Sequence, residues 1–136
     1  YDKTYGLVDY LRSNGVGAHW WFIQINKTGK EVGSFGIHDI NFHRRTCEIS
    51  YAISPSFWGE GVFMQSLKLA LDSLINEFHF YRITAVTSSN NIRSINALKK
   101  VGFKEEGVFR NFYFKDDDTR YNATPLALLA SEYIEL

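Results

Sequence analysis

A single cysteine, Cys47, stands in a chain of 136 residues. One thiol cannot close an internal disulfide, and the spacing of His19, His38, His43 and His79 suggests no metal site. An excess of charge of one sign is missing as well. Fifteen basic and fifteen acidic residues cancel, so no global field draws the chain to nucleic acid or to an anionic membrane. No apolar run approaches the ~18 residues of a membrane span. Internal repeats, low-complexity tracts and linkers are absent, and residues 1–136 read as one domain with enough chain to bury a core. No secretory signal is visible, which makes the cytoplasm the expected compartment. The chain opens at Tyr1 without a Met and reads as lacking part of its natural beginning.

What is present is an ordinary globular composition, 45% hydrophobic and 22% charged, with aromatics high at 16%. "FRNFYF" is either a nucleic-acid stacking platform or a packed strand; with little Lys or Arg around it, the packed strand is the expectation. "YGLVDYLRSNGVG" reads as a helix capped at Asn14-Gly15. "AHWWFIQIN", "EVGSFGIHDINF" and "TCEISYAIS" read as three strands of an antiparallel meander, the last closed by Pro55. In the third, Glu48, Ser50 and Ala52 alternate with Ile49, Tyr51 and Ile53. Trp20 and Trp21 are candidates for an acceptor pocket, but adjacent strand residues point to opposite faces, so at least one is expected in the core.

From Gly61 the period changes. Phe63, Leu67, Ala70, Leu71, Leu74 and Phe78 form one stripe of a helix running to about His79. "YRITAVTS" shows no alternation and is expected to be buried on both faces. A short helix follows with Ile92, Ile95, Leu98 and Val101 on one side and Gly102 at its end. "GVFRNFYF" and "ATPLALLASEY" close the chain as a hairpin around "KDDD". The fold class is therefore α/β, a mixed sheet with crossover helices packed on its faces.

The segment "WGEGVF" places glycines at a helix start that has no Ser or Asp cap. A helix N-terminus exposes about four unpaired N–H groups and roughly half a positive charge. Gly59 and Gly61 lack the Cβ atoms that would hold a phosphate away from those donors. The segment is either a pyrophosphate cradle or a plain turn.

"HRRTCEISYAISPSFWGEGVFMQSL" followed by "NNIRSINALKKVGFKEEGVFRNFYF" resembles the GNAT superfamily of acetyl-CoA-dependent N-acetyltransferases. Within it the chain looks most like the ribosomal-protein N-terminal acetyltransferase branch, the Rim type, with polyamine acetyltransferases close by. The matched pieces span roughly His43 to Phe114, in the family's order, with the first strand apparently missing. The resemblance implies that Ala52 and Ile53 offer backbone to the pantetheine arm of acetyl-CoA. It implies that backbone N–H groups across Trp58, Gly59, Glu60, Gly61, Val62 and Phe63 hold the pyrophosphate, and that Asn91 and Ser94 face the thioester end. No metal is implied. Three positions depart from the family pattern. Glu60 sets a carboxylate near the phosphates, Phe63 replaces a small residue or Met, and Leu98 stands where many members carry a Tyr acid.

Acetyl transfer to an amine needs a neutral amine, a stabilised oxyanion and a leaving thiolate. A protein α-amine of pKa ~7.7–8.0 is already neutral at the ten-per-cent level at pH 7, whereas an amine near ~10.4 is so about once in two thousand. Glu48 is the candidate base, its alternative being a surface carboxylate paired with Arg44 or Arg45. A backbone N–H near Ile53 would serve the oxyanion, worth ~2.7–4 kcal/mol. Ser94 would meet the departing sulfur; its alternative, shared with Asn90 and Asn91, is helix capping. Cys47 alternates away from Glu48 and reads as a buried structural thiol. Tyr113 and Asn122 would approach the acceptor, and "KDDDTR" is a solvated turn or an acidic rim. The expected reaction is direct attack of a primary amine in a ternary complex, first a protein N-terminal α-amine. The alternatives are a small cationic amine, polyamine or aminoglycoside-like, and a non-catalytic acyl-CoA-binding module. Monomer and homodimer are both compatible.

Overall fold

The computed structural model describes residues 19–25, 30–53, 61–115 and 118–134. The expected first helix and the loop residues Trp58, Gly59 and Glu60 lie outside them. The chain divides into two compact units, Tyr1–Tyr81 and Arg82–Leu136.

The first unit contains the expected meander. β1 (His19–Ile25), β2 (Lys30–Asn41) and β3 (Thr46–Ile53) pair antiparallel in sequence order. Alternation sets the faces: Phe35, Ile37, Cys47 and Ile49 are buried, while Glu48 and Ser50 are half-buried and Ala52 is exposed. Phe35 sits opposite Tyr51 and Ile37 opposite Ile49. The β2–β3 register shifts between His38 and Asn41, with Asp39 in a left-handed conformation at φ +51°.

α1 (Val62–Asn76) buries Leu67, Ala70, Leu71 and Leu74 of the expected stripe, with Val62 and Ser66 beside them, while Phe63 and Phe78 are half-buried. It stops short of His79. The N–H groups of Glu77 and Phe78 both reach back to the Ser73 carbonyl, and His79 turns left-handed at φ +57°. That turn delivers Phe80 into the core, fully buried, with its N–H on the Leu74 carbonyl and its ring beside Phe42 and Phe78. The N–H of Tyr81 on the carbonyl of Arg45, and the guanidinium of Arg45 on the carbonyl of Phe78, tie this end to the β2–β3 turn.

In the second unit, residues 123–129 of β7 (Arg120–Leu129) pair with the whole of β4 (Arg82–Ser88). Its other edge carries β5 (Lys104–Glu105) and β6 (Phe109–Phe114). Pro125 lies opposite Val86 in this strand, where a missing donor would normally weaken a ladder. Its carbonyl accepts from the Glu106 N–H, on the side away from β4. A residue's N–H and C=O point to the same edge of a strand, so the missing donor faces the gap between β5 and β6 and costs β4 nothing.

Four details differ from the sequence expectation. β4 alternates rather than being buried twice over: Ile83 and Ala85 are buried, while Arg82 is half-exposed and its guanidinium pairs with Glu106 at the surface. Ile92 is 59% exposed, so α2 (Ile92–Lys100) faces the core with Ser94, Ile95 and Leu98; Ile92 opens the helix and lies on its outer side. β6 is a strand, but its six residues are exposed, because it pairs with β7 alone and a register shift around Asn111 (φ +53°) breaks the ladder. β7 ends at Leu129, and Ala130–Glu132 form a 3-10 turn.

Gly102 closes α2 as expected. At φ +113° it allows the Phe103 N–H to bond the Leu98 carbonyl and its own N–H to bond that of Lys99, a Schellman pair whose flanking side chains, Leu98 and Phe103, are both buried.

Candidate active site

At the mouth of α1, Gly61 occupies the N-cap at φ +77°, and no side chain caps the helix. The first turn carries no acidic residue. A Cβ at Gly61 would meet nothing within 4 Å, so the glycine answers a backbone demand and leaves open space before the helix end. The positive end of the helix dipole and the first-turn N–H groups therefore suit an anion. Val62 is buried, and the Phe63 ring packs on Tyr51 with centroids 4.5 Å apart. Both side chains are turned into packing, which leaves backbone as what this turn offers a ligand. Ala52 and Ile53 lie opposite Ser34 and Gly33 in the β2–β3 ladder.

At the start of α2, the Asn91 carbonyl oxygen accepts from the Ser94 backbone N–H at 3.2 Å. Asn91 is thus the N-cap, its alternative role, and Ser94 is buried at 7% exposure. Leu98 is fully buried, so the position that departs from the Tyr pattern is a core position here. On β6 and β7, the Tyr113 hydroxyl donates to the Val86 carbonyl at 3.4 Å, and the Asn122 carbonyl oxygen accepts from the Asn111 N–H at 3.0 Å. Arg110, Asn111 and Asn122 line an open hollow of about 610 Å³.

Among the described residues, a group of polar side chains lies together on the half-buried face of β2 and β3. Glu48 is directly opposite His38. The His38 Nε2 is 2.7 Å from Ser50 Oγ and 3.5 Å from Glu48 Oε2. Its Nδ1 is 2.9 Å from Asp39 Oδ2. His38 and Glu48 side chains are each 26% exposed, and Asp39 is 78% exposed. Glu48 thus faces an imidazole, while the Arg45 guanidinium donates to the Phe78 carbonyl. On the opposite face, burial pushes the Cys47 thiol up to about 12, with the charge of Glu48 adding to the effect. A thiol so protonated is no nucleophile at neutral pH.

His38 and Asp39 escaped the sequence reading. Spacing along the chain separates His38 from Glu48 by ten positions, and only folding back at the β2–β3 turn brings them level. The signal was available: the two stand nearly equidistant from the turn at 42–45. Side-chain donor atoms of His38, Asp39 and Glu48 lie within 4.8 Å of one another, a proximity that histidine spacing along the chain does not reveal.

An acetyltransferase (GNAT) domain model matches residues 3–104. The chain belongs to the GNAT family. Among curated relatives of this GNAT chain, the spermidine N(1)-acetyltransferase of Escherichia coli K12 is 26% identical over 106 residues, 78% of this chain and 56% of that protein. The [ribosomal protein uS5]-alanine N-acetyltransferase of the same organism is 29% identical over 80 residues, 59% of this chain and 40% of that protein. Against the first, the chain spans about half the relative's length. Among solved structures, the spermidine/spermine N-acetyltransferase SpeG from Vibrio cholerae, in complex with manganese ions, superposes with a TM-score of 0.78 at 18% identity, covering 96% of this chain and 75% of that one. The expected mixed α/β GNAT fold is the observed one. The family is settled by these matches; the Rim branch is not singled out among its members. Among the described residues, no helix is long and apolar enough to cross a membrane.

Proposed function

We propose that the chain moves the acetyl group of acetyl-CoA to a primary amine of a small polycation of the polyamine class. The observation that carries this reading is the Asp39–His38–Glu48 array on the unburied face of β2 and β3. An amine near pKa ~10.4 arrives protonated and must lose that proton before attack, which asks more of a base than an α-amine does. Two carboxylates around one imidazole both attract a cation and receive its proton. Similarity to spermidine acetyltransferases supports the same acceptor class.

The mouth of α1 supports the cosubstrate assignment. Backbone N–H groups of Gly61, Val62 and Phe63 would bind the pyrophosphate, helped by the helix dipole. Bound there, acetyl-CoA supplies an activated acyl group whose thiolate leaves without redox chemistry. Glu48 would accept the amine proton, and a backbone N–H near Ile53 would hold the developing oxyanion. Ser94 would meet the departing sulfur, with Asn91 fixing the start of α2 through its cap on the Ser94 N–H.

The second reading, a protein N-terminal α-amine, draws support from the ribosomal-protein alanine acetyltransferase relative. Free-CoA release measured with spermidine, spermine and an alanine-first peptide separates the two. We expect kcat/KM for the polyamines to exceed that for the peptide at least about tenfold. The reverse order selects the second reading. Thermal stabilisation by acetyl-CoA without turnover on any of these amines selects a binding module.

A further inference from the structure

We infer that His38 is a positioning residue that drains the proton from Glu48, with Asp39 holding the imidazole in the orientation and tautomer this needs. The inference rests on Glu48 being the base for the amine.

Geometry determines the roles of the two ring nitrogens. Nδ1 lies 2.9 Å from the Asp39 carboxylate, so Nδ1 carries the proton and Asp39 accepts from it. Nε2 of the neutral ring then presents its lone pair to β3, where the Ser50 hydroxyl donates to it at 2.7 Å and Glu48 Oε2 stands at 3.5 Å. Among the described residues, Asp39 from β2 and Glu48 from β3 are the charged groups that face this ring. The bulge in β2 makes the arrangement possible: the left-handed Asp39, at φ +51°, swings its carboxylate back toward the preceding side chain instead of across the sheet.

The proton balance follows. The ammonium N–H bond breaks and its proton passes to Glu48. The Glu48 carboxyl gives it to His38 Nε2, directly or through the Ser50 hydroxyl. The imidazolium, held between two carboxylates, releases one proton to water, and Glu48 is again anionic. No electrons are exchanged. When His38 is already protonated it cannot accept, and the route closes.

The test compares wild type, His38→Gln, Asp39→Asn and Glu48→Gln with acetyl-CoA and spermidine between pH 5 and 8.5. Gln keeps a hydrogen-bonding group near Ser50 but takes no proton. We expect the ratio of wild-type to His38→Gln rates to be about tenfold or more at pH 8 and to shrink to within about twofold at pH 5, because protonated His38 is as inert as Gln. Asp39→Asn, at an exposed left-handed position that Asn tolerates, keeps the fold. It should lower the pH 8 rate toward that of His38→Gln, since an amide holds the proton on Nδ1 less firmly than the carboxylate does. A ratio that stays constant with pH makes His38 merely structural and overturns the inference. So does a rate that falls with a chelator and returns with manganese, which would make the three residues metal ligands. Impairment of Glu48→Gln with His38→Gln unaffected overturns the relay and leaves the base standing. No turnover of any amine by wild type removes the function and the relay together.

Discussion

His38 and Glu48 face each other across the β2–β3 ladder, the imidazole Nε2 lying 3.5 Å from the carboxylate Oε2. A carboxylate in that position is half-buried and has an imidazole within reach. Its one-quarter exposure leaves it open to a cation, a placement that suits the proposed deprotonation of an amine.

Replacing Glu48 by Gln should lower kcat/KM for the amine by about 10²-fold at pH 7, within the range of a lost general base. Affinity for CoA should be little changed, because the proposed phosphate donors belong to the mouth of α1. Steady-state rates paired with calorimetric titration of CoA check both statements. An undiminished rate at pH 6.5 removes Glu48 from the mechanism.

Gly61→Val should weaken CoA binding at least about tenfold. A β-branched residue at φ +77° is strained, and turning it out of the left-handed region swings the first N–H groups of α1 away from their common direction. Gly61→Ala should fall between the two. Calorimetry at matched protein stability reads the order.

Gly102→Ala should destabilise the fold by about 2–4 kcal/mol. Its Cβ would lie 2.4 Å from the Glu132 carbonyl oxygen, and φ +113° disfavours any side chain. Gly107, also left-handed but with nothing within 4 Å of a Cβ, provides the control, and its Ala variant should cost less. Urea unfolding followed by circular dichroism measures the difference.

The Cys47 thiol, near 9.0 when unfolded, is pushed to about 12 in the fold by burial. The unfolded chain then loses its thiol proton first as pH rises. This contribution to stability is fully present below pH 9 and is lost progressively between 9 and 12. At pH 8 the native protein should react with a thiol reagent at well under a tenth of the rate of the denatured chain. Rapid modification of native protein would show that the β3 core face opens.

Local pattern alone carried much of the architecture. Alternation through "CEIS" assigned Cys47 and Ile49 to the core and Glu48 to the other face, and the three-and-four spacing from Leu67 to Leu74 drew the buried stripe of α1. Uncapped glycine before that stripe marked the start of α1, and Gly102 marked the stop of α2. These are effects of neighbours in sequence, where the periods of strand and helix and the freedom of glycine dominate.

Other features came from residues distant along the chain. Arg82 breaks the expected two-sided burial of β4 because Glu106, 24 positions away, draws its guanidinium to the surface. Ile92 is apolar in the helical pattern but starts the helix on its open side, and the aromatics of β6 stay exposed because β7 is their single paired strand. Above all, His38 acquires a role through a bulge and a turn that bring it level with Glu48. Composition and period determine which face a residue takes. Which residue stands across from it depends on register, and register is set by packing, turn geometry and a one-residue bulge that no local pattern encodes.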